Sequence, residues 1–512
     1  MAIIGEIIKK AIHLGDKVST GKSPAEQQEN TLLNLLEKAQ NTAFGIYYGF
    51  ENILKSKNPI ERFKQEVPTF DYDDLHEKWW KRAIEGVEDI TWPGKPDYFA
   101  LSSGTTGNRK YIPVTDDMLD SIKKAGVQQI LATSEFDLPA SFFEKEILML
   151  GSSINLKHEK HFKAGEISGI SAKNIPFWFE DFYKPGKEIA AIDDWDERVQ
   201  KIAENAPKWD IGSLSGIPSW IELMLKKVIE YHGLKNIHEI WPNLQVYTTG
   251  GVAFEPYRKN FEQLLERPLV YIDTYLASEG FFALQSRPDT DAMALLTDNG
   301  IFFEFVPFEP DQMLEDGKVI PFPKTVPIDK VETGVDYVLL ISTVSGAWRY
   351  MIGDTVQFTD VERAEIKITG RTKHFLNVVG AQLSVDKMHQ GLQKVESELN
   401  LTVSEFTVAA VQNEEGEYFH RWYLGIDKNP SDIQEEEVAA VLDEAFSANN
   451  KAYKTARGKA LKGVEVNLIN LAIFYDWTSE KKQKGGQVKF PRVMKAEQFQ
   501  DWEDYVKKHN NS

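Results

Sequence analysis

The stretch "LSSGTTGNRKYIPVT", residues 101–115, decides how the rest of the chain is interpreted. It places two serines, two threonines and two glycines in six consecutive positions, followed by Arg109 and Lys110. Glycines let backbone N–H groups converge on an anion, hydroxyls add hydrogen-bond donors, and a lysine adds a mobile charge. The spacing differs from the GxxxxGK[ST] of a P-loop. Taken alone, the stretch fits a phosphate-binding loop and a plain turn about equally well.

Apolar runs on both sides of this stretch predict a strand entering it and a strand leaving it. Thr115, followed by Asp116 and Asp117, predicts the N-cap of a helix over residues 116–132. Further helices are predicted over residues 24–40, 60–87 and 219–233, and further strands over 146–150, 244–249, 268–277, 300–308 and 336–343. Alternation of this kind favours α/β layering.

The pattern changes after about residue 370, where short strand patterns surround an acidic helix predicted over residues 431–446. We therefore predict a large N-terminal α/β domain, residues 1–370, and a smaller α+β C-terminal domain, residues 371–512. The boundary is placed near Gly370–Lys373. A chain of 512 residues is also too long for one ordinary hydrophobic core.

Composition excludes several classes of function. The chain carries 59 basic and 78 acidic residues, a net charge of −19, which argues against nonspecific nucleic-acid binding. It has no cysteine, so disulfides, zinc–thiolate sites and a thiol nucleophile are excluded. No apolar run approaches the roughly 18 residues of a membrane span. Residues 1–15 predict an amphipathic helix rather than a signal peptide, and we expect a cytoplasmic protein.

Two carboxylates stand beside glycines at the ends of predicted strands. Glu279, in "YLASEGFF", lies at a strand-to-helix or strand-to-turn junction and could hold Mg²⁺ against a triphosphate. Asp354, in "RYMIGDTVQF", is predicted in a turn and could accept both hydroxyls of a ribose. The alternatives are an exposed structural glutamate and an ordinary turn aspartate.

Two further glycine-bearing segments complete the set. Gly250 and Gly251, in "VYTTGG", follow a predicted strand, where a flat purine ring could approach the backbone. Lys489, in "KGGQVKFPR", follows a flexible double glycine near the C-terminal end. Each of these segments is a weak signal alone, whereas their order along the chain is specific.

In that order and spacing, the segments resemble the adenylate-forming superfamily of acyl-CoA synthetases, luciferases and peptide-synthetase adenylation domains. Within it, "SGIPSWIELMLKKV", "IWPNLQVYTTGG", "RYMIGDTVQF" and "VKFPR" resemble the auxin-responsive Gretchen Hagen family of acyl acid–amido synthetases. The resemblance implies a luciferase-like α/β fold with a small, mobile C-terminal domain.

The resemblance also implies roles for individual residues, in the order in which they occur. The implied phosphate-binding motif is Ser102, Ser103, Gly104, Thr105, Thr106, Gly107 and Lys110. Gly250 and Gly251 would line the adenine. The second motif is Tyr275, Ala277, Ser278 and Glu279, with Glu279 as the Mg²⁺ ligand; the third is Arg349, Tyr350, Gly353 and Asp354, with Asp354 on the ribose. Arg371 would lie at the hinge and could also contact the ribose, and Lys489 would reach the site during adenylation.

The implied reaction uses ATP and Mg²⁺ to convert a small carboxylic acid into an acyl-adenylate, which an amine then attacks. The expected amine is an amino acid. The Ala-Ser-Glu-Gly sequence of the second motif and the short chain favour a bacterial-type relative over a plant hormone enzyme. Two alternatives remain open: an acyl-CoA ligase with the same adenylation step, and a non-catalytic nucleotide sensor on the same fold.

Overall fold

The structure is a computed structural model of the chain. The residues that it describes are 21–103, 109–251, 254–314, 317–372, 376–378, 381–383, 385–413, 417–426, 433–449, 453–454, 457, 461–480, 490–494 and 496–509. The helix expected within residues 1–15 lies outside these ranges.

The strands are numbered in chain order. They are β1 Tyr98–Ser103, β2 Arg109–Val114, β3 Glu146–Leu150, β4 Lys157–His158, β5 Lys163–Gly165, β6 Tyr183–Lys184, β7 Ile211–Gly216, β8 Val246–Gly250, β9 Val270–Ala277, β10 Gly280–Leu284, β11 Met293–Leu295, β12 Ile301–Pro307, β13 Asp336–Thr343, β14 Tyr350–Asp360, β15 Glu365–Arg371, β16 Leu376–Val378, β17 Ala381–Leu383, β18 Val403–Gln412, β19 Tyr418–Ile426 and β20 Leu461–Asn470.

The α-helices are numbered in the same way. They are α1 Pro24–Ala39, α2 Ala43–Tyr47, α3 Phe50–Leu54, α4 Pro59–Glu66, α5 Tyr72–Leu75, α6 Lys81–Ile84, α7 Asp116–Ala132, α8 Ile167–Lys173, α9 Lys187–Ala190, α10 Trp195–Asn205, α11 Pro218–His232, α12 Glu255–Glu262, α13 Val385–Leu399, α14 Glu435–Asn449, α15 Leu471–Glu480 and α16 Ala496–His509. A π-helical turn, His76–Trp80, joins α5 to α6.

An 11-stranded sheet dominates the larger part of the chain, in the order β12-β13-β14-β15-β11-β10-β9-β8-β7-β3-β6. Its β9-β8-β7-β3-β6 half is parallel, and its other half is built largely from antiparallel pairs. A second sheet has the order β2-β1-β5-β4. Because parallel strands need long crossover connections, helices cover the parallel half. The observed mixed α/β architecture confirms the predicted fold class.

The core of the parallel half lies between its strands and helices α10 and α11. Apolar side chains from both helices and from β3 and β7 are fully buried there, among them Leu148, Ile202, Ile211, Ile221 and Leu225. Burying each such side chain stabilises the fold by roughly 1.5–3 kcal/mol. This packing holds the ends of the parallel strands at fixed positions.

Local capping explains where several helices begin. The Thr115 side chain accepts a hydrogen bond from the Met118 backbone N–H, and α7 spans the predicted residues 116–132. At α1, Ser23 and Glu26 form a capping box around a first-turn proline. Helix α11 ends where Gly233 adopts φ 66°, a conformation that favours glycine.

The single helix expected over residues 60–87 is wrong. The structure replaces it with α4, α5, the π-helical turn and α6. Helix α4 ends at Glu66, and Val67 after it is extended. Pro68 explains this end, because a proline disfavours the helical conformation of the residue before it. Asp71 then caps α5 through a capping box with Asp74. Apolar periodicity alone did not distinguish one helix from several.

A buried ion pair ties α4 to the sheet. Arg349 and Glu304 have 0% and 2% exposed side chains, and Arg349 Nε and Nη2 each donate to a Glu304 carboxylate oxygen at 3.0 Å. Arg349 Nη1 donates to the carbonyls of Lys64 and Val67, at 2.9 and 2.7 Å. Each of the three guanidinium nitrogens therefore donates at least one hydrogen bond. Such a pair is stable only while all of its partners are present.

The chain forms two compact units, the second consisting of Glu315–Lys318, Gly353–Val356 and Ile368–Ser512. Within the second unit, β18, β19 and β20 form one sheet, and β16 and β17 form another. Its core includes the buried side chains of Trp422 and Phe446, whose rings stack at 5.5 Å between centroids. The domain boundary at residues 370 and 371 stays a prediction.

Of two histidines in the second unit, His420 is fully buried and His389 is partly buried. Burial lowers the pKa of His389 to about 4 and that of His420 to about 3. Among the described residues, neither ring nitrogen of His420 has a hydrogen-bond partner. Both imidazoles are therefore neutral in the folded protein near pH 7.

Within the described ranges, no helix combines the length and the apolarity required to cross a bilayer.

Replacing Glu304 by glutamine should lower the free energy of unfolding by about 3–5 kcal/mol, because the Arg349 charge is left buried without a counterion. Urea denaturation followed by circular dichroism measures this change. The control is Glu51→Gln, which breaks a pair with Lys55 whose side chains are 66% and 69% exposed; it should cost under about 1 kcal/mol. Equal stabilities of the two variants would contradict the role given to the buried pair.

Stability should fall as the pH decreases from about 6.5 toward 4. In that interval the unfolded chain binds protons on His389 and His420 while the folded rings stay neutral, which costs up to about 1.4 kcal/mol per pH unit for each histidine. Urea midpoints of the second unit's transition between pH 7.5 and 5 measure the effect. His420→Leu should flatten the pH dependence, whereas His158→Leu, at an exposed position, should leave it unchanged. The opposite ranking of these two variants would refute the explanation.

Candidate functional site

Gly250, the last residue of β8, and Gly251 lie at the carboxyl edge of the parallel half-sheet, the usual place for ligand sites in α/β folds. Gly250 pairs with Thr274 of β9. A Cβ added at Gly250 would lie 2.6 Å from Thr274 Oγ1, so only glycine allows the two strands to approach this closely. Gly251 adopts φ +79°. The backbone turns here without side chains, which leaves room for a flat ring to approach it.

Glu279 follows the end of the adjacent strand β9, five residues beyond Thr274, the partner of Gly250. Ala277 pairs with Gly280 of β10, so Ser278 and Glu279 form the turn between two antiparallel strands. The junction is therefore strand to turn. Glu279 is 7% exposed, which excludes the exposed structural glutamate that was the alternative. Tyr275 is buried, with its ring 4.8 Å from that of Phe282.

The donor set at this edge suits a cation that takes few protein ligands. No group of three or more His, Asp or Glu side chains that could hold a metal occurs in the described part of the chain. Mg²⁺ commonly uses one or two carboxylates together with substrate phosphates. The carboxylate of Glu279 therefore fits Mg²⁺ better than a metal with an all-protein ligand cage.

Strands β1 and β2 bring the two ends of the opening stretch together. Ser102 pairs with Lys110, and Ser103 pairs with Arg109. Lys110 Nζ lies 5.1 Å from the ring centroid of Tyr72, whose hydroxyl accepts a hydrogen bond from the Tyr111 N–H at 2.9 Å. The stretch thus forms a β-hairpin. Its predicted phosphate ligands Gly104, Thr105, Thr106 and Gly107 lie outside the described residues.

Asp354 and Arg371 form an ion pair within the second unit. Arg371 Nε lies 2.6 Å from Asp354 Oδ1, and the Asp354 side chain is 11% exposed against 47% for Arg371. The expectation of a turn at Asp354 is wrong, because this residue lies inside β14. Gly353 adopts φ 91° and supplies the local irregularity that the sequence suggested. The structure thus brings together the predicted ribose residue and the predicted hinge residue.

Arg349, which the resemblance assigned to the third motif, serves the fold instead. It is fully buried and bonded to Glu304 and to two backbone carbonyls of the α4 segment. Sequence reasoning missed Glu304. The available signal was a lone acidic residue within the apolar run "GIFFEFVPF". A carboxylate in such a run requires a buried partner.

Lys489 lies outside the described residues, but the residues that follow it are firmly packed in the second unit. The Phe490 ring lies 4.6 Å from Phe474 and 5.0 Å from Trp502. The Pro491 carbonyl accepts a hydrogen bond from Thr407 Oγ1 at 2.8 Å. Lys489 is therefore joined directly to an anchored segment of that unit.

Three segments of the chain match three domains of one family. Residues 18–200 match the GH3 family N-terminal domain, residues 294–371 the GH3 family central domain, and residues 386–498 the GH3 family C-terminal domain. The chain belongs to the GH3 family. The resemblance drawn from the ordered motifs is confirmed.

Two relatives of this GH3 protein are plant proteins of low identity. It is 23% identical to the jasmonoyl–L-amino acid synthetase JAR4 of Nicotiana attenuata, over 89% of this chain and 88% of the relative. It is 24% identical to the probable indole-3-acetic acid-amido synthetase GH3.9 of Oryza sativa subsp. japonica. That second alignment covers 50% of this chain and 62% of the rice protein.

Solved structures share the fold. A GH3.15 acyl acid amido synthetase superposes with a TM-score of 0.75 at 16% identity, covering 98% of this chain and 96% of the other. A 2-hydroxyisobutyryl-CoA ligase in the postadenylation state superposes with a TM-score of 0.56 at 12% identity, covering 94% and 91%. The fold is thus that of the adenylate-forming ligases, as expected from the sequence.

Gly250→Ala should lower the free energy of unfolding by about 1–3 kcal/mol, because the added methyl group overlaps Thr274 and forces β8 and β9 apart. Gly126→Ala is the matched control. Gly126 lies in the middle of α7, where an added Cβ meets no atom within 4 Å, and this variant should gain up to about 1 kcal/mol. Thermal and urea denaturation measure both changes. A Gly250→Ala protein as stable as the wild type would show that the strands do not need the close approach.

Proposed function

We propose that this GH3 protein is an ATP-dependent acyl acid–amido synthetase. The observation that supports this best is the placement of Gly250, Gly251 and Glu279 on one edge of a parallel sheet, in a chain of the GH3 family. Glycines and a carboxylate on that edge suit an adenine and a magnesium-bound triphosphate, respectively. The two plant relatives, a jasmonoyl–L-amino acid synthetase and a probable indole-3-acetic acid-amido synthetase, support the same reaction class.

In the first step, a substrate carboxylate oxygen attacks the α-phosphorus of ATP. A new P–O bond forms, the bond from the α-phosphorus to the bridging oxygen breaks, and pyrophosphate leaves. Such chemistry depends mainly on positioning and on neutralising charge. We assign these tasks to the residues 102–110, to Glu279 and to Lys489. Mg²⁺ held by Glu279 would offset the negative charge of the phosphate oxygens.

In the second step, an amine nitrogen attacks the acyl carbonyl carbon. The C–N bond forms, the bond from the carbonyl carbon to the phosphate oxygen breaks, AMP leaves, and the amine loses a proton. The chain needs no side-chain nucleophile for either step, in keeping with its lack of cysteine. Asp354 would hold the ribose hydroxyls throughout, with Arg371 fixing its carboxylate.

The two steps require different residues around the acyl-adenylate. We propose that residues 371–512 act as a lid that presents Lys489 for the first step and withdraws it for the second, turning near Gly370–Lys373. The packing of Phe490 and Pro491 supports this role, since a lysine attached to an anchored segment moves with the whole unit.

The substrates are proposed by class. The acid is a small carboxylic acid and the acceptor an amino acid, whereas nucleic acid is not expected for a chain of net charge −19. A bacterial-type substrate rather than a plant hormone, and a cytoplasmic location, stay predictions. The fold match to a CoA ligase favours one alternative, in which the same acyl-adenylate passes to a thiol.

The test is carboxylate-dependent exchange of labelled pyrophosphate into ATP, screened across aryl, indolic, jasmonate-like and fatty acids. At least one acid should support exchange. Lys489→Ala should reduce that exchange by about 100-fold or more, since it removes a charge from the developing transition state. Lys495→Ala, a nearby change of the same charge, should leave the rate within about twofold.

Product analysis with the active acid then separates the acceptors. An amide formed from an amino-acid mixture supports the synthetase, and a thioester formed from CoA establishes the ligase alternative. A protein that binds ATP but exchanges with no acid would be a nucleotide sensor. Exchange at the wild-type rate in Lys489→Ala would refute the role of that lysine.

A further inference from the structure

Arg198, in α10, is a buried cation whose guanidinium lacks the usual partners. It is 5% exposed, and no described residue bonds its Nε. Burial lowers the pKa of its guanidinium. Arginine is almost never fully buried unless it is paired. A buried N–H that lacks an acceptor costs stability, so the retention of Arg198 at this position calls for a physical reason.

The charged and ionisable neighbours of Arg198 attract it electrostatically without bonding it. They are Tyr183, Asp193 and Glu166. The Asp193 carboxylate accepts a hydrogen bond from Asn155 Nδ2 at 2.7 Å, and the Glu166 carboxylate accepts one from Ser152 Oγ. The Trp195 ring lies under the guanidinium, with 5.4 Å from Cζ to the ring centroid. The cation is thus held in place by a stacked ring and by charges at a distance.

This arrangement lies at the carboxyl edge of the parallel half-sheet. Ser152, which bonds Glu166, comes two residues after the end of β3. The Trp195 ring lies 4.9 Å from that of Trp220, in the first turn of α11, which follows β7. The same edge carries Gly250 and Gly251 at the end of β8. Arg198 therefore belongs to the side of the sheet on which the nucleotide site is proposed.

The strand spacing gives the distance between the end of β3, near which the neighbours of Arg198 lie, and the glycines of β8. In the sheet, β3 is separated from β8 by β7 alone. With neighbouring strands about 4.8 Å apart, β3 lies roughly 10 Å from β8. Ile217, between β7 and α11, would lie 3.6 Å from a Cβ added at Gly251, so it borders the glycines on the β7 side. An amino acid or the far end of a short acid can span such a distance.

We propose that Arg198 binds a carboxylate group of one of the two small-molecule substrates. This inference rests on the proposed function. A guanidinium offers parallel N–H donors that match a carboxylate, and Trp195 leaves it oriented before the ligand arrives. Glu166 and Asp193 nearby disfavour a purely anionic ligand and favour one that also carries an ammonium group. The amino-acid acceptor has both groups, and a second carboxylate on the acyl acid is the other source of the same chemistry.

Stability separates a binding role from a structural one. If Arg198 serves a ligand, Arg198→Met should melt at the same temperature as the wild type or higher, because an unpaired buried charge is replaced by an apolar chain of similar length. If Arg198 serves the fold, the variant should melt several degrees lower, and the proposal would be overturned.

Binding is tested by tryptophan fluorescence of the full-length protein. The probes are glycine against glycinamide and succinate against succinamate, four compounds that differ in carboxylate count and carry no bulky side chain. Trp195→Phe identifies the part of the signal that comes from Trp195. At least one of glycine and succinate should change this signal saturably, and its amide counterpart should bind at least tenfold more weakly.

Arg198→Met should weaken binding of the effective probe at least tenfold, and Arg198→Lys, which keeps the charge, should lose less. A response to glycine identifies the acceptor as the source of the carboxylate, and a response to succinate identifies the acyl acid. Unchanged affinity in Arg198→Met, or no saturable response to any probe, would overturn the proposal. Because the readout is binding, these outcomes are independent of pyrophosphate exchange, whose absence would reject the proposed function instead.

Discussion

The buried ion pair between Arg349 and Glu304 is the constraint that fixes the N-terminal helices on the large sheet. Its guanidinium bonds a carboxylate on β12 and two carbonyls of the α4 segment. The Arg349 carbonyl also accepts a hydrogen bond from the Phe70 N–H at 3.0 Å. One side chain and its own backbone thus join the N-terminal helices to the sheet. Since Arg349 directly precedes β14, this junction also sets where that strand begins.

The candidate site lies where short turns leave the edge of a rigid sheet. The packed cores on α10 and α11 hold the parallel strands, and the turns after β8 and β9 carry the residues with chemistry. Gly250 and Gly251 contribute by lacking side chains, because a close strand approach and a positive φ exclude other residues there. Glu279 contributes a carboxylate buried within a tight hairpin. Rigid strands with polar turns allow a ligand to be positioned without any movement of the sheet.

How far the sequence predicts the structure depends on the range of the interaction involved. Thr115 and the helix behind it were predictable, because an N-cap involves residues three positions apart. Strands β3 and β13 occur at the predicted bounds, since each is a continuous apolar run. Two expectations failed. The single helix over 60 to 87 overlooked the local signals at Pro68 and at the Asp71 cap, which apolar periodicity does not include. Asp354 lies in a strand because β14 continues through the φ of 91° at Gly353.

By itself, the sequence determined the fold class and the family, since these depend on composition, local periodicity and motif order along the chain. The ordered set of site residues is a prediction from the same motifs. Only the tertiary structure decided which charges are buried and with whom they pair. Arg349 and Glu304 are 45 residues apart, and Arg371 meets Asp354 across 17 residues. Arg198 reads as an ordinary surface arginine on an acidic helix until α10 is packed against its neighbours. Burial and pairing are properties of contacts between distant segments, and no local pattern in the chain encodes them.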